Sequence, residues 1–135
     1  MRFIILGLLS AVLVSGALVS CGSKGGGAPE AALVVSTTPP ADGAVQPAAP
    51  GPDFTLAVDI TSVMPPQGVT ITVTASVDGT ANSTFFTKSL NTTSITSSFT
   101  ITGTPAQESC LVNITVTSNT KSTNVWTGSY LYSMK

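Results

Sequence analysis

The chain contains no histidine, so the nucleophile pairs that hydrolases build from serine or cysteine with an imidazole cannot be assembled from it. The carboxylates of its C-terminal part, Asp53, Asp59, Asp78 and Glu108, fall at separate strand or turn positions without paired-acid spacing. Lys88-Ser89 has the composition of a lysine-activated serine, but neighbouring residues of a strand point to opposite faces. Asp78-Gly79-Thr80-Ala81-Asn82 has a faint likeness to a calcium loop. It offers one carboxylate where calcium takes about six to eight oxygens, so it reads as a turn. Asn82-Ser83-Thr84, Asn91-Thr92-Thr93 and Asn113-Ile114-Thr115 match the glycosylation sequon, at a frequency that a Ser/Thr-rich chain produces by chance. Catalysis, a metal and a cofactor are therefore not expected.

The remaining reactive groups are two thiols. Cys110 alternates with Val112, Ile114 and Val116, and this places it as a small buried hydrophobe. As the only thiol downstream of residue 52 it has no partner for an internal disulfide. Cys21 is different. Met1-Arg2 supplies a positive charge, Phe3 to Val19 is apolar apart from small residues, and Leu18-Val19-Ser20 leads directly into the cysteine. This is the layout of a secretory signal with a small-residue cleavage context. The run is close to the shortest that spans a bilayer, but a cysteine in register with that context favours cleavage over a spanning helix.

Leu18-Val19-Ser20-Cys21 resembles the lipobox of bacterial lipoprotein precursors. The resemblance implies a signal peptide over 1–20, with Cys21 as the first mature residue carrying a diacylglyceryl thioether and an N-acyl chain such as palmitate. It implies membrane anchoring in the cell envelope. Gly22 stands where some bacteria place an inner-membrane retention aspartate, which leans towards the outer membrane, on its periplasmic or surface face. One acyl chain binds membranes only marginally, whereas several hold a protein firmly.

After the cysteine, residues 21–52 are rich in Ala, Gly and Pro, with little besides Leu33-Val34-Val35 and Val45 able to pack. Such composition buries too little apolar surface to offset its ordering entropy and reads as a disordered linker. It would span about 30 Å as a coil, or about 95 Å in a polyproline-like form. Within it, Ala31–Thr37 either stays in the linker or adds an edge strand.

From Asp53 the apolar period becomes two. Phe54, Leu56, Val58 and Ile60 alternate with polar residues, as do Val69, Ile71, Val73, Ala75 and Val77. Ile95, Phe99 and Ile101 form another inward row, Cys110 to Val116 a further one, and Asn124 to Met134 a last strand. Thr84 to Leu90 is a strand whose two phenylalanines, Phe85 and Phe86, leave its facing open. Six or seven short strands with turns between them and no helical period predict an all-β antiparallel sandwich over 53–135. On this patterning the domain resembles immunoglobulin-like or transthyretin-like modules of bacterial surface proteins.

Of those 83 residues 31 are Ser or Thr and seven are charged, so the outer faces are neutral hydroxyl surfaces. No basic patch exists, and nucleic acid is not expected as a partner. Trp126, Tyr130 and Tyr132 share one face of the last strand with Gly128 and Met134. They either pack over the core or form an exposed strip that stacks on sugar rings. The expected function is a non-catalytic, lipid-anchored envelope protein whose sandwich is a structural or protein-interaction module, with glycan binding through those aromatics as the alternative. Its partners would be the membrane, through Cys21, and an envelope protein or glycan.

Overall fold

The computed structural model describes residues 29–135; Cys21, the expected signal peptide and the start of the expected linker lie outside them. Among the described residues eight strands follow one another without a helix: β1 (Val35–Thr38), β2 (Asp42–Val45), β3 (Phe54–Ile60), β4 (Val69–Val77), β5 (Thr84–Thr92), β6 (Thr96–Ile101), β7 (Ser109–Ser118) and β8 (Val125–Ser133). They form a three-stranded sheet, β1-β3-β6, and a five-stranded sheet, β2-β8-β7-β4-β5. All ladders are antiparallel except that between β2 and β8. With β3 beside β6 in one sheet and β4, β7 and β8 adjacent in the other, the chain follows the Greek-key connectivity of immunoglobulin-like sandwiches.

Alternation builds the core directly. Leu56, Val58 and Ile60 of β3 and Phe99 and Ile101 of β6 face Val69, Ile71, Val73 and Ala75 of β4 and Cys110, Val112, Ile114 and Val116 of β7, all buried. Between successive inward residues stand threonines, serines and asparagines that meet water on the outer faces. At the turn into β4, Gly68 takes φ +79°, and a Cβ there would run into the carbonyl of Thr92; only glycine fits both demands.

Two expectations change, and one facing left open by the sequence is fixed. The linker over 21–52 does not extend through its second half, because residues 33–45 join the sandwich. Leu33 is 7% exposed in the core, β1 pairs with β3, and β2 runs parallel to β8. Ladder hydrogen bonds come from the backbone, so a segment poor in apolar side chains can still be held at two sheet edges. Secondly, Ile95 does not join the inward row of β6. It precedes the strand and is 60% exposed, with only its carbonyl engaged, by the amide of Ile60 at 2.8 Å. Thirdly, Phe85 and Phe86 share the inside. Ala75 pairs with Phe86 but Ser76 pairs with Thr84, so Phe85 is the extra residue of a β-bulge, and both rings pack half-buried against the core.

Candidate functional site

The last strand carries the aromatic residues that sequence singles out, and the ladder decides their facing. Cys110, Val112, Ile114 and Val116 of β7 lie opposite Tyr132, Tyr130, Gly128 and Trp126 of β8, so all four belong to the inner row. Tyr130 and Tyr132 are 2% and 3% exposed and cannot form an open stacking strip; Trp126 alone remains half-buried. Tyr132 stands edge-on to Phe54 with ring centres 4.7 Å apart, and its hydroxyl shares a 2.8 Å hydrogen bond with the buried Thr104. Burial, and then the neighbouring Tyr132, pushes the Tyr130 phenol well above its ordinary value. Burial likewise drives Tyr132 up to about 12, against the hydrogen bond from Thr104.

These rings still touch a cavity. Between β1 and β2 the chain crosses from the small sheet to the large one, and Pro39, Pro47 and Ala48 overhang Phe54, Tyr130 and Tyr132 to enclose about 360 Å³. Gly128 makes this crossing possible, since a Cβ there would press on the Ala41 side chain and on the Trp126 ring.

The outer face of the five-stranded sheet is a regular array of hydroxyls. Register aligns Ser89, Thr72, Thr115 and Thr127 in one row across four strands, and Thr87, Thr74, Asn113, Ser129 and Asp42 in the next across five. Neighbours in a row are about 4.8 Å apart. Thr72 and Ser89 bond to each other at 2.9 Å. Where the β2–β8 register shifts, Asp42, Asn113, Thr127 and Ser129 line a shallow trough of about 420 Å³ with Gly43 and Gly128 as its bare floor. Asp42 keeps one oxygen on the amide of Ala44 at 3.0 Å. Sequence reasoning missed this group because Asp42 sits in the stretch that reads as linker and reaches Asn113 only through parallel pairing.

Sheet edges complete the inventory. Ile60 donates to Ile95, and the β3–β6 register is constant, so residues 97, 99 and 101 exchange bonds with β3 while Thr96, Ser98 and Thr100 direct their backbone N–H and C=O groups outward. The Thr96 pair is taken up by the Ser94 hydroxyl, which donates to its carbonyl at 3.0 Å and accepts from its amide at 3.4 Å, so Ser98 and Thr100 carry the open edge. Beside this edge, Phe86, Lys88, Ser98 and Phe99 line a groove of about 280 Å³. Lys88 lies opposite Val73 on the inward row of edge strand β5, yet it is exposed at the rim.

The carboxylates remain dispersed, and no group of three potential metal ligands occurs among the described residues. Cys110 is fully buried, and burial followed by the charge of Glu108 raises its thiol, which leaves it unreactive in the fold. Cys21 lies outside the described residues. No protein-family model, curated protein or solved structure matches this chain.

Proposed function

We propose that this is a non-catalytic protein of the cell envelope, lipid-anchored through Cys21 with the outer membrane as its site, whose sandwich takes up an extended segment of a protein partner along β6. The observation that carries the interaction reading is the unguarded edge of that strand. Proteins blunt free edges with brevity, bulges or inward charges. Strands β1 and β2 are four residues each, and β5 has both a bulge and Lys88. Strand β6 has none of these, and no charged residue occurs from Ser89 to Gln107. Two free outward pairs of backbone groups, those of Ser98 and Thr100, beside an aromatic-floored groove suit recognition by strand addition.

Ser98→Pro tests this, because the Ser98 amide faces outward and its loss spares the pairing with β3. The native lipidated protein, recovered from solubilised membranes, is expected to bring down a specific partner that Ser98→Pro and Ser98→Lys lose and Thr87→Lys keeps. Equal recovery with all variants rules out the β6 edge.

A second reading, glycan binding at the last strand, is supported by the trough of Asp42, Asn113, Thr127 and Ser129, which offers planar polar groups and hydroxyls to a neutral sugar. Trp126 keeps some exposed surface but stands on the inner row, across the sheet from the trough, and Tyr130 and Tyr132 line the cleft on that inner side, so the reading rests on the polar groups of the trough. A glycan array without signal, or binding untouched by Asp42→Ala and Asn113→Ala, refutes it.

A further inference from the structure

The two ends of the sandwich differ in chemistry. The chain enters the body at Pro29-Glu30, and Asn124 fixes the entry: its side-chain oxygen accepts from the Leu33 amide at 3.0 Å, and its side-chain NH₂ donates to the Ala31 carbonyl at 2.9 Å and to Glu30 Oε1 at 2.7 Å. The β3–β4, β5–β6 and β7–β8 connections gather at this same end, since Val69 pairs with both Thr92 and Ser118 and Ile60 bonds Ile95. Of the five large apolar side chains exposed among the described residues, four stand here: Val34 (55%), Val63 (74%), Ile95 and Val125. Val34 and the loop of Val63 are locked together, the Val34 amide donating to Ser62 Oγ at 2.9 Å and its carbonyl accepting from Thr61.

Charge divides the same way. The three connections at the entry end, 61–68, 93–95 and 119–124, carry Lys121 as their only charged residue. Glu30 is turned into Asn124, and Asp59 lies within β3 on the sheet face. At the opposite end each connection, 46–53, 78–83 and 102–108, carries a carboxylate, Asp53, Asp78 and Glu108, against one cation there, Lys135, whose amide donates to Ala49.

Chain length couples the entry end to the anchor. Eight peptide steps separate Cys21 from Pro29 and reach at most about 28 Å even fully extended. This is roughly the length of the nine-residue strand β4, so the anchor cannot carry the body far beyond its own height. We infer that the entry end of the sandwich rests on the bilayer surface. Val34, Val63 and Ile95 enter the boundary between headgroups and acyl chains, Lys121 faces anionic headgroups, and the acid-bearing end points away. The inference rests on acylation of Cys21 and goes beyond it, since a lipid anchor by itself sets no orientation.

The test uses the full-length protein, acylated in cells and reconstituted into vesicles of phosphatidylethanolamine and phosphatidylglycerol containing nitroxide-labelled lipid. An environment-sensitive fluorophore is attached at Val63→Cys, Ile95→Cys or, at the far end, Thr80→Cys. Cys110 is fully buried and does not compete for label. Thr93→Cys, on the same loop as Ile95 and exposed, replaces any variant that melts early. Blue-shifted emission and quenching by the nitroxide lipid are expected at 63 and 95, with no change at 80. Equal responses at all three sites, or none, with Cys21 shown acylated by mass spectrometry, overturn the orientation and leave the anchor standing. An unmodified Cys21 overturns both.

Discussion

Leu33→Ala separates a packed N-terminal strap from a solvated linker. In a linker the substitution changes stability by no more than about 0.5 kcal/mol, as surface substitutions do. In the structure Leu33 is buried in the core cluster between the two sheets' edges, and truncation to alanine removes about three carbon groups at ~0.8 kcal/mol each. A further cost arises from the void. That cost is small here, because a site near the end of the sandwich can collapse, so the total sits at the lower end of the range for Leu→Ala, about 2–3 kcal/mol. For a body of this size each kcal/mol lowers the melting midpoint by roughly 4 °C, which gives a fall of about 10 °C. Val45→Ala is the internal control, lying in the same stretch but 68% exposed. Differential scanning calorimetry of the chain from Gly22 onward reads both. Equal midpoints for Leu33→Ala and Val45→Ala would return residues 29–45 to the linker and refute the packing described above.

Three further outcomes follow from the interior. Tyr132→Phe leaves the buried Thr104 hydroxyl without its partner and costs about 1–3 kcal/mol, whereas adding Thr104→Val recovers part of the loss; strictly additive urea midpoints would deny the hydrogen bond. Tyr130 and Tyr132 both titrate above their ordinary value of 10.0 in the fold, so their contribution is complete below pH 10 and is lost as pH rises towards about 12. The melting midpoint should decline from about pH 10, the buried Cys110 thiol adding to the decline from pH 9, and the Tyr130→Phe/Tyr132→Phe protein should decline less; identical profiles would contradict their burial. Gly68→Ala combines a positive φ with a collision against the Thr92 carbonyl and should cost more than the ~1–2 kcal/mol of backbone handedness alone, while Gly79→Ala, in open space at a similar φ, should cost about that amount.

How much of this was legible in the chain depends on whether side chains or backbone carry the information. Strands β4 and β7 alternate without interruption, and every residue assigned inward from Val69 to Ala75 and from Cys110 to Val116 is buried. Of the two strands before residue 46, β1 overlaps the Ala31–Thr37 stretch that reads as either linker or edge strand, while β2, Asp42–Val45, is exposed along its whole length and carries no alternation to read, because ladder bonding is blind to side-chain type. Periodicity also fails locally. Ile95 has the parity of the β6 inward row but precedes the strand, and the bulge at Phe85 lets consecutive aromatics share one side. The aromatic row of β8 was legible as a row, while its burial depended on the crossing of residues 39–48 above it. Asp42 and Asn113 are 71 positions apart, and nothing local marks them as neighbours.

The proposed anchoring through Cys21 underlies both the proposed envelope location and the orientation drawn from it. Metabolic labelling with an alkynyl fatty acid, followed by click detection on the purified protein and on Cys21→Ala, measures it directly. The account predicts label on the native protein, none on the variant, and release of the variant from the membrane fraction. A mature chain that begins elsewhere, or carries an unmodified thiol at Cys21, would contradict it.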